Sequence, residues 1–243
     1  MHRHLLPFYD ERKCKIDMIV IHCEIYPIED AIKVFTERKV SSHYIIDENG
    51  EIWQLVGEKH RAWHAGVSSW QGQSDINSRS IGIELVSPTL GQKSYAKAQK
   101  EALCALLQRL IKKYKITSQN IVGHSDVAPT RKADPNKSFF WKELNQKGVG
   151  IFYQPRLKNI SQRADIAQLL QIIGYDTADL AAAKLAFCRR FIPQAVAYEK
   201  DIWNIEKNLP QTAKNFKEPK ELKSILQNIA QQYESASNTP CKM

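Results

Sequence analysis

The sequence has no apolar run long enough to cross a bilayer. The longest near its start, Met18 to Ile21 within IDMIVIHC, falls far short of the roughly 20 residues a spanning helix needs. The opening MHRHLLPFYDERKCKID also lacks the apolar stretch of about 7–15 residues that an export signal requires. A disulfide framework is missing too. Cys14, Cys23, Cys104, Cys188 and Cys241 are odd in number, widely scattered and never in a Cys-x-x-Cys pair, which suits a reducing compartment. These absences lead to the expectation of a cytoplasmic protein with no transmembrane segment. No internal repeat or low-complexity tract occurs. The basic residues are not interleaved with aromatics, and no helix-turn-helix, RNA-recognition or finger signature is present, so nucleic acid is not an expected partner.

What remains is a chain of 243 residues, 43% of them apolar, enough to bury a core in one ordinary domain with a smaller second one. The net charge of +9 is spread: residues 1–157 hold 23 basic against 17 acidic side chains, and the remainder 12 against 9. Such a surplus favours anionic partners, and a polymer or peptide bearing carboxylates meets that requirement.

Residues 16–23, IDMIVIHC, read as a buried strand rich in β-branched residues, and EDAIKVFTERK as a short helix. In HYIIDENGEIWQL two apolar runs flank Asp47-Glu48-Asn49-Gly50, a hairpin whose Asn-Gly pair would supply the positive φ angles. SIGIELV, 80–86, alternates as a strand and sets Glu84 on the face opposite Ile81, Ile83 and Leu85. From about Ser94 to Lys115 an amphipathic helix presents Leu103, Leu106, Leu107, Leu110 and Ile111. NIVGH is a short strand ending at His124, and FFWKELNQKG a last helix stopped by Gly148. This order predicts an α/β (α+β) domain over 1–157, a mixed central sheet flanked by helices. Residues 158–234 predict a smaller three-helix domain, with a polar insertion around 193–219, and 235–243 a flexible tail.

Strand ends on one sheet edge gather side chains from distant positions, so His22 and His124 are candidate metal ligands. Asp134, near the end of the loop HSDVAPTRKADP (124–135), whose two prolines are expected to prevent regular structure, can return as an oxygen ligand. Two His and one carboxylate leave tetrahedral zinc one open position, as catalytic sites require. Spacing alone leaves plain alternatives open: hydrogen-bonded histidines, an Asp-Pro turn, Glu84 on a solvated strand face and Lys132 in a charged loop.

Five ordered blocks decide between these: IVIHC (19–23), VSSHYIIDENGEIWQLV (40–56), AWHAG (62–66), SIGIEL (80–85) and GHSDVAPTRKADP (123–135). In order and spacing they resemble the zinc-dependent N-acetylmuramoyl-L-alanine amidases of type 2, whose fold is shared by phage lysozyme-type amidases and peptidoglycan recognition proteins. The resemblance covers about 157 residues and implies that His22, His124 and Asp134 bind Zn2+. It implies Glu84 as general base and Lys132 as the cation that stabilises the oxyanion. Trp63, His64, Ala65 and Arg131 match segments lining the substrate groove; for His64, packing and substrate contact both stay open, as groove and core do for Trp63 and Trp70. His43 is expected to hydrogen-bond beneath the site, and Cys23 to point away from the face used by His22.

The chemistry fits these residue types. Zinc polarises an amide carbonyl and acidifies water. A glutamate takes and returns the proton. A lysine near the oxyanion stabilises the developing charge. The segment QLLQIIGYDTADLAAAKLAFCRRFIPQ is similar to a peptidoglycan-binding helical module, the other reading being a helical appendage packed on the catalytic domain. The expected function is hydrolysis of the amide joining N-acetylmuramic acid, or its anhydro form, to the L-alanine of the stem peptide. Polymeric peptidoglycan and small muropeptides stay open as substrate forms. The second domain points to the periplasm or cell envelope, against the missing signal. A non-catalytic recognition protein is the competing reading, and it predicts a gap at one of the five site positions, all of which are filled.

Overall fold

The computed structural model describes residues 1–88, 94–157, 163–197 and 202–237. In chain order the strands are β1 (His2–Arg3), β2 (Tyr9–Glu11), β3 (Met18–Glu24), β4 (Tyr44–Ile46), β5 (Ile52–Gln54), β6 (His60–Ala62), β7 (Ser80–Val86) and β8 (Ile121–Gly123). The helices are α1 (Ile28–Arg38), α2 (Ile76–Arg79), α3 (Lys97–Tyr114), α4 (His124–Val127), α5 (Trp141–Gln146), α6 (Ile166–Ile173), α7 (Leu180–Phe191), α8 (Ile202–Lys214) and α9 (Leu222–Ser237). Six strands form one mixed sheet in the order β1-β5-β4-β7-β3-β8, and β2 pairs with β6. The central strands β4, β7, β3 and β8 are parallel, in a register that sets His22 beside Glu84 and Ile21 beside Gly123.

Alternation along β3 and β7 builds two cores. Ile19, Ile21, Ile81, Ile83 and Leu85 face α3 and pack with Leu103, Leu106, Leu107 and Leu110. Met18, Val20 and Val122 face the opposite way, into a core that includes Leu169 and Ile173 of α6, Phe187 of α7 and Ile229 of α9. Each such side chain contributes about 1.5–3 kcal/mol by leaving water. The C-terminal helices therefore cover the second face of the sheet, and one apolar core runs through both segments. His22 and Glu84 continue that second face to the carboxyl ends of the parallel strands, where open α/β sheets place their clefts.

Four expectations need correction. Only Gly50 of the β4–β5 turn has positive φ, 83°; the Asp47 carboxylate accepts hydrogen bonds from the amides of Asn49 and Glu51, so Asn49 needs no left-handed backbone. The loop after β8 opens with the helical turn α4, because its prolines lie beyond Val127 and leave His124–Val127 free to coil. The helical region holds four helices, not three, since α8 lies within the polar insertion. Pro210 in mid-segment hid it, although Leu209 and Ala213 are buried. Finally, α9 continues to Ser237, so 235–237 are helical; the rest of the expected flexible tail, and Cys241 with it, lies outside the described residues. Among the described residues no helix is long and apolar enough to cross a membrane.

Candidate active site

A cleft of about 500 Å³ opens at the ends of β3 and β7, its lining including His22, Glu84, His124, Lys132 and Asp134. Parallel strands deliver His22 and Glu84, and the first residue of α4 is His124. The loop after α4 returns Asp134 to them, its carbonyl accepting the Ser125 amide at 2.7 Å. One ligand atom from each of His22, His124 and Asp134 lies within 4.8 Å of the others, and all three residues are buried.

The finer distances match a shared cation. His22 Nδ1 is 3.2 Å from Asp134 Oδ2, and His124 Nδ1 is 3.2 Å from Asp134 Oδ1. Atoms that share a tetrahedral ion at about 2.0 Å stand about 3.3 Å apart. His124 Nε2 lies 3.2 Å from the Ala65 carbonyl, which can only accept, so that nitrogen carries the proton. In the neutral ring Nδ1 then presents a lone pair toward the carboxylate. Two acceptors with no hydrogen between them suit a positive charge placed there, and the group can hold a metal.

The electrostatics agree. Burial, then neighbouring His124, lowers the pKa of His22 to about 4, which keeps the ring neutral and able to ligate. Burial alone would raise Asp134, but positive charge and hydrogen bonds from His124 and His22, when those rings carry a proton toward it, outweigh burial and hold the carboxyl well below its usual range. The carboxylate is thus stabilised by positive charge at this place. Glu84 Oε1 is 3.9 Å from His22 Nδ1. Burial, followed by the carboxylates of Glu24 and Asp134, holds the Glu84 carboxyl well above the ordinary range, while Lys132 opposes the shift. A carboxyl raised in this way is suited to taking and returning a proton. Cys23 borders the same cleft and packs on Ala133, outside the group formed by His22, His124 and Asp134, and burial pushes its thiol up to about 12.

The profile of the N-acetylmuramoyl-L-alanine amidase family Amidase_2 matches residues 12–137, just over half of the chain. The chain belongs to that amidase family. It is 38% identical, over 186 residues covering 67% of each chain, to N-acetylmuramoyl-L-alanine amidase AmiD of Escherichia coli K12. The structure of that amidase in complex with the substrate anhydro-N-acetylmuramic acid-L-Ala-D-gamma-Glu-L-Lys superposes with a TM-score of 0.67 at 31% identity, over 90% of both chains. AMPDH3 from Pseudomonas aeruginosa, solved with anhydromuramic pentapeptide, gives a TM-score of 0.72 at 27% identity, over 90% of this chain and 92% of that one. The 1,6-anhydro-N-acetylmuramyl-L-alanine amidase AmpD of Citrobacter freundii is 47% identical over 104 residues, 42% of this chain and 54% of the relative. This chain thus aligns with only about half of that amidase.

Within the amidase cleft the remaining expected residues have distinct surroundings. Half-buried Trp63 lines it and donates from Nε1 to Asp10 Oδ2 at 2.7 Å, whereas Trp70 is fully buried against Tyr175. The Ala65 amide donates to Asn77 Oδ1 at 2.7 Å, and its carbonyl accepts from Arg131 Nη2 at 2.9 Å as well as from His124. Arg131 also donates to the Val67 carbonyl, so its guanidinium braces the cleft wall. His43 is buried, accepting the Gly82 amide on Nδ1 at 3.0 Å. His64 lies against His22, with ring centroids 5.1 Å apart. Sequence reasoning missed Glu206, which reaches Lys132 from α8, and Glu24, whose charge acts on Glu84. Neither carries a motif; Glu206 lies in a stretch that reads as a polar excursion.

Proposed function

We propose that the chain is a zinc hydrolase that cuts the amide between the lactyl group of N-acetylmuramic acid, in its anhydro form included, and the L-alanine of the stem peptide. The observation that carries this reading is the convergence of His22, His124 and Asp134 beside Glu84, on one wall of an open cleft. Zinc held by those three residues would supply the Lewis acidity that polarises a carbonyl and acidifies water.

The chain's own residues do the rest. Glu84 accepts the proton of the attacking water as its oxygen bonds to the amide carbon. It then passes that proton to the alanyl nitrogen as the carbon–nitrogen bond breaks. Lys132, two residues before Asp134, stands on the cleft wall where its ammonium can meet the oxyanion. Ala65 holds His124 in its ligating orientation through the Nε2 hydrogen bond. The net charge of +9 favours a substrate whose stem bears free carboxylates. The anhydromuropeptides in the AmiD and AMPDH3 structures support small turnover fragments as substrates.

The test is to incubate the purified protein with an anhydro-muropeptide and with intact sacculi, with and without a chelator. Stem peptide released, lost on chelation and restored by zinc is the expected result. Binding without release would move the assignment to a recognition protein.

A further inference from the structure

His64 lines the cleft, yet both of its ring nitrogens are engaged inside the protein. Nδ1 is 3.0 Å from His22 Nε2, and Nε2 is 3.1 Å from Ser80 Oγ. Ser80 Oγ lies 2.6 Å from the carbonyl of Ile76. A carbonyl only accepts, so the single hydroxyl proton of Ser80 is committed to Ile76. Ser80 must then accept from His64, which puts the His64 proton on Nε2 and leaves Nδ1 as an acceptor. His22 in turn must donate from Nε2. Its Nδ1 is left with a bare lone pair, 3.2 Å from Asp134 Oδ2.

We infer that His64 is a positioning residue: through the Ile76–Ser80–His64 relay it fixes the proton of His22 on Nε2 and frees Nδ1 to ligate metal. This rests on the zinc reading above. The seat of the ring is built for that place. A Cβ at position 82 would lie 2.5 Å from His64 Cγ, so Gly82 leaves the space the imidazole fills. Asn77 Oδ1 accepts the amides of both His64 and Ala65, at 3.2 and 2.7 Å, fixing the backbone on which the ring is carried. With both nitrogens spoken for, His64 has none left for substrate, and a hydrogen-bonding role toward it is excluded while the relay is intact.

The experiment compares wild type with His64→Leu, His64→Asn and Ser80→Ala, using two readouts besides turnover. Long-range proton–nitrogen spectra of histidine-labelled, metal-free protein report the tautomer of His22. Competition with a chromophoric chelator reports zinc affinity. Wild type is expected to show His22 protonated on Nε2. His64→Leu should lose that preference and bind zinc about 10- to 100-fold more weakly. His64→Asn, which keeps an acceptor oxygen near the Nδ1 position, should recover most of the affinity. Ser80→Ala leaves ring packing in place but unlocks the relay, and should shift the His22 tautomer. The inference is overturned if His22 keeps its tautomer and zinc affinity stays within about threefold in His64→Leu. It is also overturned if His64→Asn is no better than His64→Leu, which would make the ring mere packing. A wild type that takes up no zinc would sink the zinc reading instead, and the metal-free spectra would still decide the role of His64.

Discussion

The ammonium of Lys132 meets Glu206 Oε2 at 2.9 Å, joining the loop that follows His124 to helix α8. Both side chains line the cleft. Any oxyanion or substrate carboxylate drawn to Lys132 must therefore compete with Glu206 for the same protons. Glu206→Gln removes the competing charge and keeps the shape. We expect a KM for an anionic muropeptide about three- to tenfold lower at low ionic strength, the gain shrinking as salt screens the cleft. Steady-state kinetics at two salt concentrations read this directly. An unchanged KM at low salt would mean that the pair does not stand in the substrate's way.

In the proposed mechanism ligation and proton transfer fall on different residues, so they should separate. Glu84→Ala leaves the three ligand atoms in place and removes the proton carrier. Zinc content is expected to stay near that of wild type while kcat falls by about 10²–10⁴. His124→Ala should lose both metal and turnover. Metal analysis on the same preparations used for kinetics checks this; a Glu84→Ala protein that loses its zinc would make Glu84 a ligand.

The parts legible in the sequence are those whose signal is local. β3, β7 and α3 announce themselves by strict alternation or by leucines at helical spacing, and the structure places them within a few residues of expectation. Alternation also set Glu84 opposite Ile83, which is how the strand buries an acid toward a cleft. β1 and β2 were missed because two or three exposed residues carry no period. The apolar faces of α6, α7 and α9 were readable, but not their partner, because nothing local says that Met18, Val20 and Val122 complete their core. Glu206 was illegible for the same reason: its importance comes from a lysine 74 residues away.

Glu58 offers a test of stability against pH. It is 8% exposed, and its carboxylate accepts from the Tyr44 hydroxyl, from Tyr114 at 2.5 Å and from Lys113 Nζ at 2.7 Å, with Arg109 Nη1 at 2.9 Å. Burial alone would raise its pKa, but the hydrogen bonds from Lys113, Tyr114, Tyr44 and Arg109 outweigh that and bring it to about 2, from 4.5. A carboxyl depressed by folding contributes stability above the unfolded value of 4.5, and that contribution drains away as pH falls toward 2. Glu58→Gln should be less stable at neutral pH and show a flatter loss of stability across that window. Urea unfolding at stepped pH measures both slopes, and equal slopes would deny the linkage.

The helical region is tied to α4, which begins at His124, by a buried ion pair. Arg190 Nη1 of α7 is 2.7 Å from Asp126 Oδ2, with the guanidinium 4.2 Å above the Trp141 ring and Nη2 donating to the Ile121 carbonyl. Asp126 also accepts from the Gly123 amide and from the Tyr175 hydroxyl, and it lies two residues past His124. Arg190→Met keeps most of the packing volume but strands a buried carboxylate, which costs about 3–5 kcal/mol. For a chain of this size that is a fall of about 6–20 °C in Tm. Removing both charges takes the unpaired group away, so Asp126→Asn combined with Arg190→Met should be distinctly more stable than the two single losses added together. If the two losses simply add, the pair is not coupled, and α7 holds the His124 loop by apolar packing alone.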